Sequence, residues 1–193
     1  LYTARNGGKL IIAISGKSGA GKNSVGEEVA RLLGYKVVSF SFKQEAQKAG
    51  FGLMEYQKLA SKDKSIDTDL DRRIAAEASA GNCVVVTWLG PWVVKDADLR
   101  VWLEADDATR AMRIANRDKM GAKQALEHVK KRDADNRERY LKLYGIDIDD
   151  RSIFGLQLNS SVMTIGQMAT TIVDAAESME KRPGKHEAPA NVK

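Results

Sequence analysis

The chain has 193 residues, of which 30% are charged, with 31 Lys and Arg against 26 Asp and Glu and a net charge of +5. That length holds one domain with a full core, and the lone cysteine, Cys83, excludes an internal disulfide framework and a cysteine-based zinc site. No apolar run reaches the length of a membrane span, and Leu1 to Lys9 has no apolar signal core, so a reducing, cytoplasmic setting is expected.

Leu10-Ile11-Ile12-Ala13-Ile14 reads as a strand, and Val25, Val29, Leu32 and Leu33 share one face of a helix. Between them lies GKSGAGKNS, Gly16 to Ser24. Strand, glycine loop and helix, with the spacing Gly16-x4-Gly21-Lys22, make the pattern of a phosphate-binding P-loop: backbone N–H groups wrap the phosphates and the lysine reaches their outer oxygens. The helix adds the positive end of its dipole. Gly16, Ser18, Gly19, Ala20, Gly21, Lys22, Asn23 and Ser24 are therefore the expected triphosphate contacts. At Asn23 the pattern normally has a Ser or Thr hydroxyl for Mg²⁺, so the metal is expected at Asn23 or Ser24, and weakly held.

Gly34 stops the first helix, and Tyr35 to Phe40 reads as a second strand, the start of a parallel sheet. Three helices follow, Phe42 to Ala49, Leu53 to Ala60 and Ser65 to Ala80, the last with Ile66, Leu70 and Ile74 on one face, Arg73 at its edge and Arg72 pointing away. Cys83 to Thr87 is a β-branched run expected as a central strand covered on both faces, and Leu99 to Leu103 is the next strand. Asp107 is placed to cap a helix ending near Arg117, with Arg110, Arg113 and Arg117 on one side, either facing an anion or solvated. Ala122 to Tyr144 is a charged helix, with a bend expected, that puts Arg132, Asn136 and Arg139 on one face with Val129 and Leu143. Leu156 to Asn159 reads as the last strand, Ile165 to Met179 as the closing helix, and 181–193 as a flexible basic tail.

The stretches IIAISGKSGAGK, IDTDLDRR, KDADLRVWLEA and RYLKLYGIDIDDRSIF together resemble the P-loop nucleoside monophosphate kinases, and within them the short cytidylate kinases of archaea and some bacteria. The resemblance covers about Lys9 to Ala176. It implies an α/β P-loop NTPase fold with a five-stranded parallel sheet flanked by helices. Residues 1–180 would form one kinase domain, with a helical monophosphate-binding insertion at about 42–80 and a lid at about 118–140. It further implies ATP and Mg²⁺ as cofactors and CMP or dCMP as substrate. Lys22, Arg132 and Arg139 would be catalytic, and Lys43, Arg73 and Asn136 would bind substrate. Where the family has a Glu-Gly-Arg or similar turn after the third strand, this chain has Val86-Thr87-Trp88.

Two functions follow. One is an active kinase transferring a phosphoryl group from ATP to (d)CMP. The other, raised by Asn23, by Val86-Thr87-Trp88 and by the basic tail, is a nucleotide-binding or structural subunit of a larger protein or RNA-containing assembly. A P-loop GTPase or motor fits poorly, for want of an Asn-Lys-x-Asp motif and of an aspartate in the third strand.

Overall fold

A computed structural model describes residues 9–40 and 42–180 and, within them, every side chain except those of Lys43 and Glu180. The tail expected over 181–193 lies outside the described residues. The elements run β1 (Ile11–Gly16), α1 (Lys22–Leu33), β2 (Lys36–Val38), α2 (Phe42–Lys48), α3 (Leu53–Lys62), α4 (Lys64–Ala78), β3 (Cys83–Val86), α5 (Gly90–Val93), β4 (Leu99–Glu104), α6 (Asp107–Asp118), α7 (Ala122–Tyr144), β5 (Leu156–Asn159) and α8 (Ile165–Glu180). All strand pairs are parallel, in the order β2-β3-β1-β4-β5, so the fold is the expected α/β one with a five-stranded sheet.

The alternation of side chains along β1 divides the core. Ile12 and Ile14 pack with Val84, Val86, Val101 and the apolar faces of α1 and α8. Ile11 and Ala13 point the other way, toward Cys83, Val85 and the Leu70, Ile74 and Ala78 stripe of α4. Both faces are covered, which is why β1 and β3 are continuous apolar runs rather than alternating ones. Strand β1 is flanked by β3 and β4, so the chain leaves it at the point where the strand order reverses. In such sheets that is where ligands bind, outside the carboxyl ends of the strands.

Several local readings are corrected. Strand β2 ends at Val38 rather than Phe40, and it starts after Tyr35 because the Tyr35 N–H bonds back to the Ala30 carbonyl at 2.9 Å and finishes α1. The cap of α6 is Asp106, not Asp107: its Oδ1 accepts from the Thr109 N–H at 2.7 Å. Helix α7 is unbroken over 23 residues, without the expected bend. Helix α5 was not foreseen; it is one turn, with Pro91 in its first turn and Thr87 Oγ1 accepting from the Gly90 N–H at 2.7 Å. No helix among the described residues is long and apolar enough to cross a membrane.

Helix α1 lies so close to β3 that a Cβ at Gly26 would overlap Val86 Cγ2. Gly26→Ala should therefore destabilise the protein by about 1–2 kcal/mol despite alanine's higher helix propensity, since overpacking a core typically costs about 1–3 kcal/mol. Denaturant melts check it. The double variant Gly26→Ala with Val86→Ala should lose less than the sum of the two single losses.

Candidate active site

The carboxyl ends of the central strands open into a cleft of about 1040 Å³, walled by the P-loop, by α2, α3 and α4, by the turn after β3, and by α6 and α7. The P-loop has its shape from two glycines in the left-handed region. At Gly19, with φ +81°, a Cβ would lie 2.7 Å from the Arg110 carbonyl oxygen, so only glycine lets the loop rest on α6. Gly21, with φ +88°, starts α1 without any side-chain cap, which leaves the first-turn N–H groups of α1 without an intrahelical or capping acceptor. Ser18 Oγ is buried and has no hydrogen-bond partner among the described residues. These uncommitted donors fit a polyphosphate.

Lys22 Nζ donates to the carbonyls of Gly16 at 2.6 Å and Lys17 at 3.1 Å, and lies 5.2 Å from the centroid of the Trp88 ring. Burial, then the neighbouring Arg132, lowers its pKa to about 7, with Asp133 opposing and Arg110 and Arg117 adding to the fall. Helix α7 aims Arg132, Asn136 and Arg139 into the cleft from one face, as their spacing requires. The Arg132 Nε is buried without a partner among the described residues, and desolvation first and the charges of Arg117 and Arg139 next push its pKa down. Both shifts report positive charge gathered where water is scarce, an arrangement that a bound anion relieves.

The opposite wall is acidic. Arg139 Nη2 donates to Tyr140 Oη at 3.0 Å and Asn136 Oδ1 at 3.3 Å and lies 3.7 Å from Asp67, while its guanidinium covers the Phe42 ring at 4.4 Å. Tyr144 donates to Asp71, whose pKa burial raises to about 6 against that bond's opposing pull.

Of the sequence-predicted residues, Ser18, Gly19, Ala20, Gly21, Lys22, Asn23 and Ser24 line the cleft together with Arg132, Asn136 and Arg139, and Gly16 closes the loop at the end of β1. Asn23 and Ser24 are both exposed toward it. Arg73 is not brought in: it pairs with Glu45 at 3.0 Å, stacks over Phe40 and lies outside the lining. The backbone of Lys43 is in α2, but its side chain lies outside the described residues.

Two of the three α6 arginines, Arg110 and Arg113, do structural work that neither expectation named, while Arg117 is exposed and lines the cleft. Arg110 is 2% exposed and joins three elements, donating to the Ser18 carbonyl at 3.0 Å and Asp133 Oδ2 at 2.7 Å and pairing with Asp107. Arg113 donates to the Gly19 carbonyl at 3.2 Å and the Ser160 carbonyl at 2.6 Å, and Ser160 Oγ donates to the Ala20 carbonyl at 2.9 Å. Arg117 pairs with Asp118.

Sequence reasoning missed Asp67, Asp133 and Ser160. Asp67 left a signal: it stands three residues before Leu70 and seven before Ile74, so an acid sits on the apolar face of α4. Asp133 and Ser160 left none, because their partners are far away in the chain.

Asp133→Ala should destabilise the protein by about 1–3 kcal/mol, because it removes one of the two carboxylates paired with the buried Arg110 while Asp107 stays. Asp133→Asn keeps an oxygen acceptor and should lose less. Urea denaturation of the two variants against the parent checks the order.

Comparison with known proteins agrees with this geometry. Residues 11–162 match the cytidylate kinase-like family. The chain is 41% identical over 155 residues to the cytidylate kinase of Pyrococcus horikoshii, covering 79% of this chain and 81% of that one. It is 40% identical over 168 residues to the cytidylate kinase of Pyrobaculum islandicum, covering 86% and 91%. Among solved structures, shikimate kinase from Acinetobacter baumannii superposes with a TM-score of 0.57 at 18% identity, over 90% of this chain and 96% of that one. Deoxyadenosine kinase from M. mycoides gives 0.54 at 16%, over 88% and 100%. At those identities the likeness is one of fold. With the P-loop, the sheet order and relatives near 40% identity in agreement, the chain belongs to the cytidylate kinase-like family.

Proposed function

We propose that the protein is a nucleoside monophosphate kinase that transfers the γ-phosphoryl group of ATP to CMP or dCMP, leaving ADP and CDP or dCDP. The observation that carries this reading is the pair of basic side chains at the cleft floor: Lys22, and Arg132, whose buried Nε has no partner among the described residues. A second wall across the cleft, built from α2 to α4, leaves room for an acceptor nucleotide. Family membership supports the same chemistry.

In-line phosphoryl transfer asks for positioning and charge neutralisation more than for covalent help. The P-loop N–H groups and Ser18 hold the triphosphate, and Lys22 and Arg132 meet the charge that spreads over the transferring group. The acceptor phosphate is itself the nucleophile, so no general base is required. Arg139 and Asn136 stand on the acceptor side, and the backbone of Lys43 lies in the first turn of α2. Arg73 joins them only by giving up Glu45. Residues 42–80 then act as the acceptor wall, and 118–140 as the part that closes over both nucleotides and excludes water.

When bound, Mg²⁺ neutralises phosphate charge and templates the triphosphate. Asn23 Oδ1 or Ser24 Oγ would hold it. One oxygen from the protein suffices for an ion carried mainly by phosphates and water. A cytoplasmic location is part of the same reading. The accessory-subunit reading has no comparable observation behind it.

Formation of ADP, measured with ATP, Mg²⁺ and each of CMP, dCMP, UMP and AMP, tests the proposal, and no turnover with any of them overturns it. Arg132→Ala should lower kcat by roughly a hundredfold with a smaller effect on ATP affinity, because its contacts strengthen as charge develops in the transition state. A second measurement uses Lys22, whose pKa of about 7 should rise beside a triphosphate. Between pH 7.5 and 9 the free amine is neutral and the bound one charged, so binding takes up a proton. ATP affinity should then fall as pH rises, by up to about tenfold per unit. Calorimetric titrations across that window check the slope, and a flat profile means that Lys22 takes up no proton on binding.

A further inference from the structure

Across the cleft from the P-loop stands a polar group that neither packing nor phosphate chemistry accounts for. Asp67 lies on the inward face of α4 and is 3% exposed. Its Oδ1 lies 3.7 Å from Arg139 Nη2, while Oδ2 is buried and has no hydrogen-bond partner among the described residues. A buried carboxylate oxygen without a donor is costly, so the position calls for a donor brought by something that enters the cleft.

Its surroundings narrow what that is. Phe40, Phe42, Leu53 and Leu70 line the same wall, with the Gln57 amide beside them. An apolar, partly aromatic slot with a few converging polar groups suits a planar heterocycle. A phosphate is disfavoured there, because Asp67 and Asp71 both face the slot and, among the described side chains, Arg139 is the one cation close to Asp67. The neighbouring Asp71 already accepts from Tyr144.

We infer that Asp67 Oδ2 accepts a hydrogen bond from the 4-amino group of the acceptor pyrimidine, so that Asp67 separates cytosine from uracil nucleotides. Uracil presents a carbonyl at that position, which would set lone pairs against a buried carboxylate and leave Oδ2 unpaired. Arg139 acts as the positioning residue that holds Oδ1 and aims Oδ2. This inference rests on the kinase reading above and assigns the residue behind its base preference.

The test compares kcat/KM for CMP, UMP and the pyrimidin-2-one ribonucleoside monophosphate, which has hydrogen in place of the amine, on the parent protein and on Asp67→Asn. The parent should favour CMP over the pyrimidin-2-one nucleotide by roughly ten- to a hundredfold, the range for a hydrogen bond to a charged group. In Asp67→Asn the CMP to UMP ratio should fall by a similar factor, and the penalty for removing the amine should largely disappear. Equal losses for CMP and UMP would assign Asp67 to the sugar or to holding Arg139 and overturn the inference while leaving the kinase reading intact. A parent enzyme that uses the pyrimidin-2-one nucleotide as well as CMP overturns it too, even if the variant does not fold. A parent that phosphorylates no nucleotide removes the kinase reading and this inference with it.

Discussion

A glycine loop that turns its peptide groups toward a ligand cannot also use them to hold itself, so something outside the loop must fix its shape. Here that constraint falls on Arg110. Its buried guanidinium takes the Ser18 carbonyl from one side and Asp107 and Asp133 from the other, so P-loop, α6 and α7 meet at one side chain. Breaking such a pair on one side strands a buried charge. The same junction sets where α7 lies against the loop, and Arg132 is the neighbour of Asp133 in the chain. The residue that would meet the transferring phosphoryl group is thus positioned by the contact that shapes the phosphate cradle. Arg113 and Ser160 fasten the other side of the loop, through the carbonyls of Gly19 and Ala20.

The cleft is polarised. Lys22, Arg117 and Arg132 gather at the P-loop end, and Asp67 and Asp71 lie on the α4 wall. Arg139 stands between the two groups, tied to Asp67 and stacked on Phe42. A nucleotide has the matching asymmetry, a phosphate at one end and a weakly polar heterocycle at the other. In low dielectric this separation of charge orients the ligand, since reversing it would bring phosphate against carboxylate.

Val86, which ends β3, and Thr87 and Trp88 after it are each engaged in holding the site together. Val86 fills the space left by Gly26 of α1, Thr87 caps α5, and the Trp88 carbonyl accepts from Ser15 Oγ at 2.6 Å. The Trp88 indole lies beside Lys22 and 6.5 Å from the Tyr140 ring. An aromatic face next to a desolvated ammonium partly offsets its charge without supplying an anion that would compete with phosphate.

Sequence alone determined what depends on spacing along the chain. Gly16-x4-Gly21-Lys22 between an apolar run and an amphipathic helix specified the P-loop, and β-branched runs specified the buried strands. Intervals of three, four and seven residues put Arg132, Asn136 and Arg139 on one side of α7, because helical geometry is local. Tertiary structure decided what depends on partners distant in sequence. Arg110 looked like one of three equivalent arginines until Ser18, 92 positions away, and Asp133, 23 away, were found against it. Arg73 had the right face of α4 but found Glu45, 28 residues earlier, before it found the cleft. The place of Asp67 on the apolar stripe of α4 is legible in the spacing, but only folding set it beside Arg139. A pattern states which way a side chain points, and only packing states what waits there.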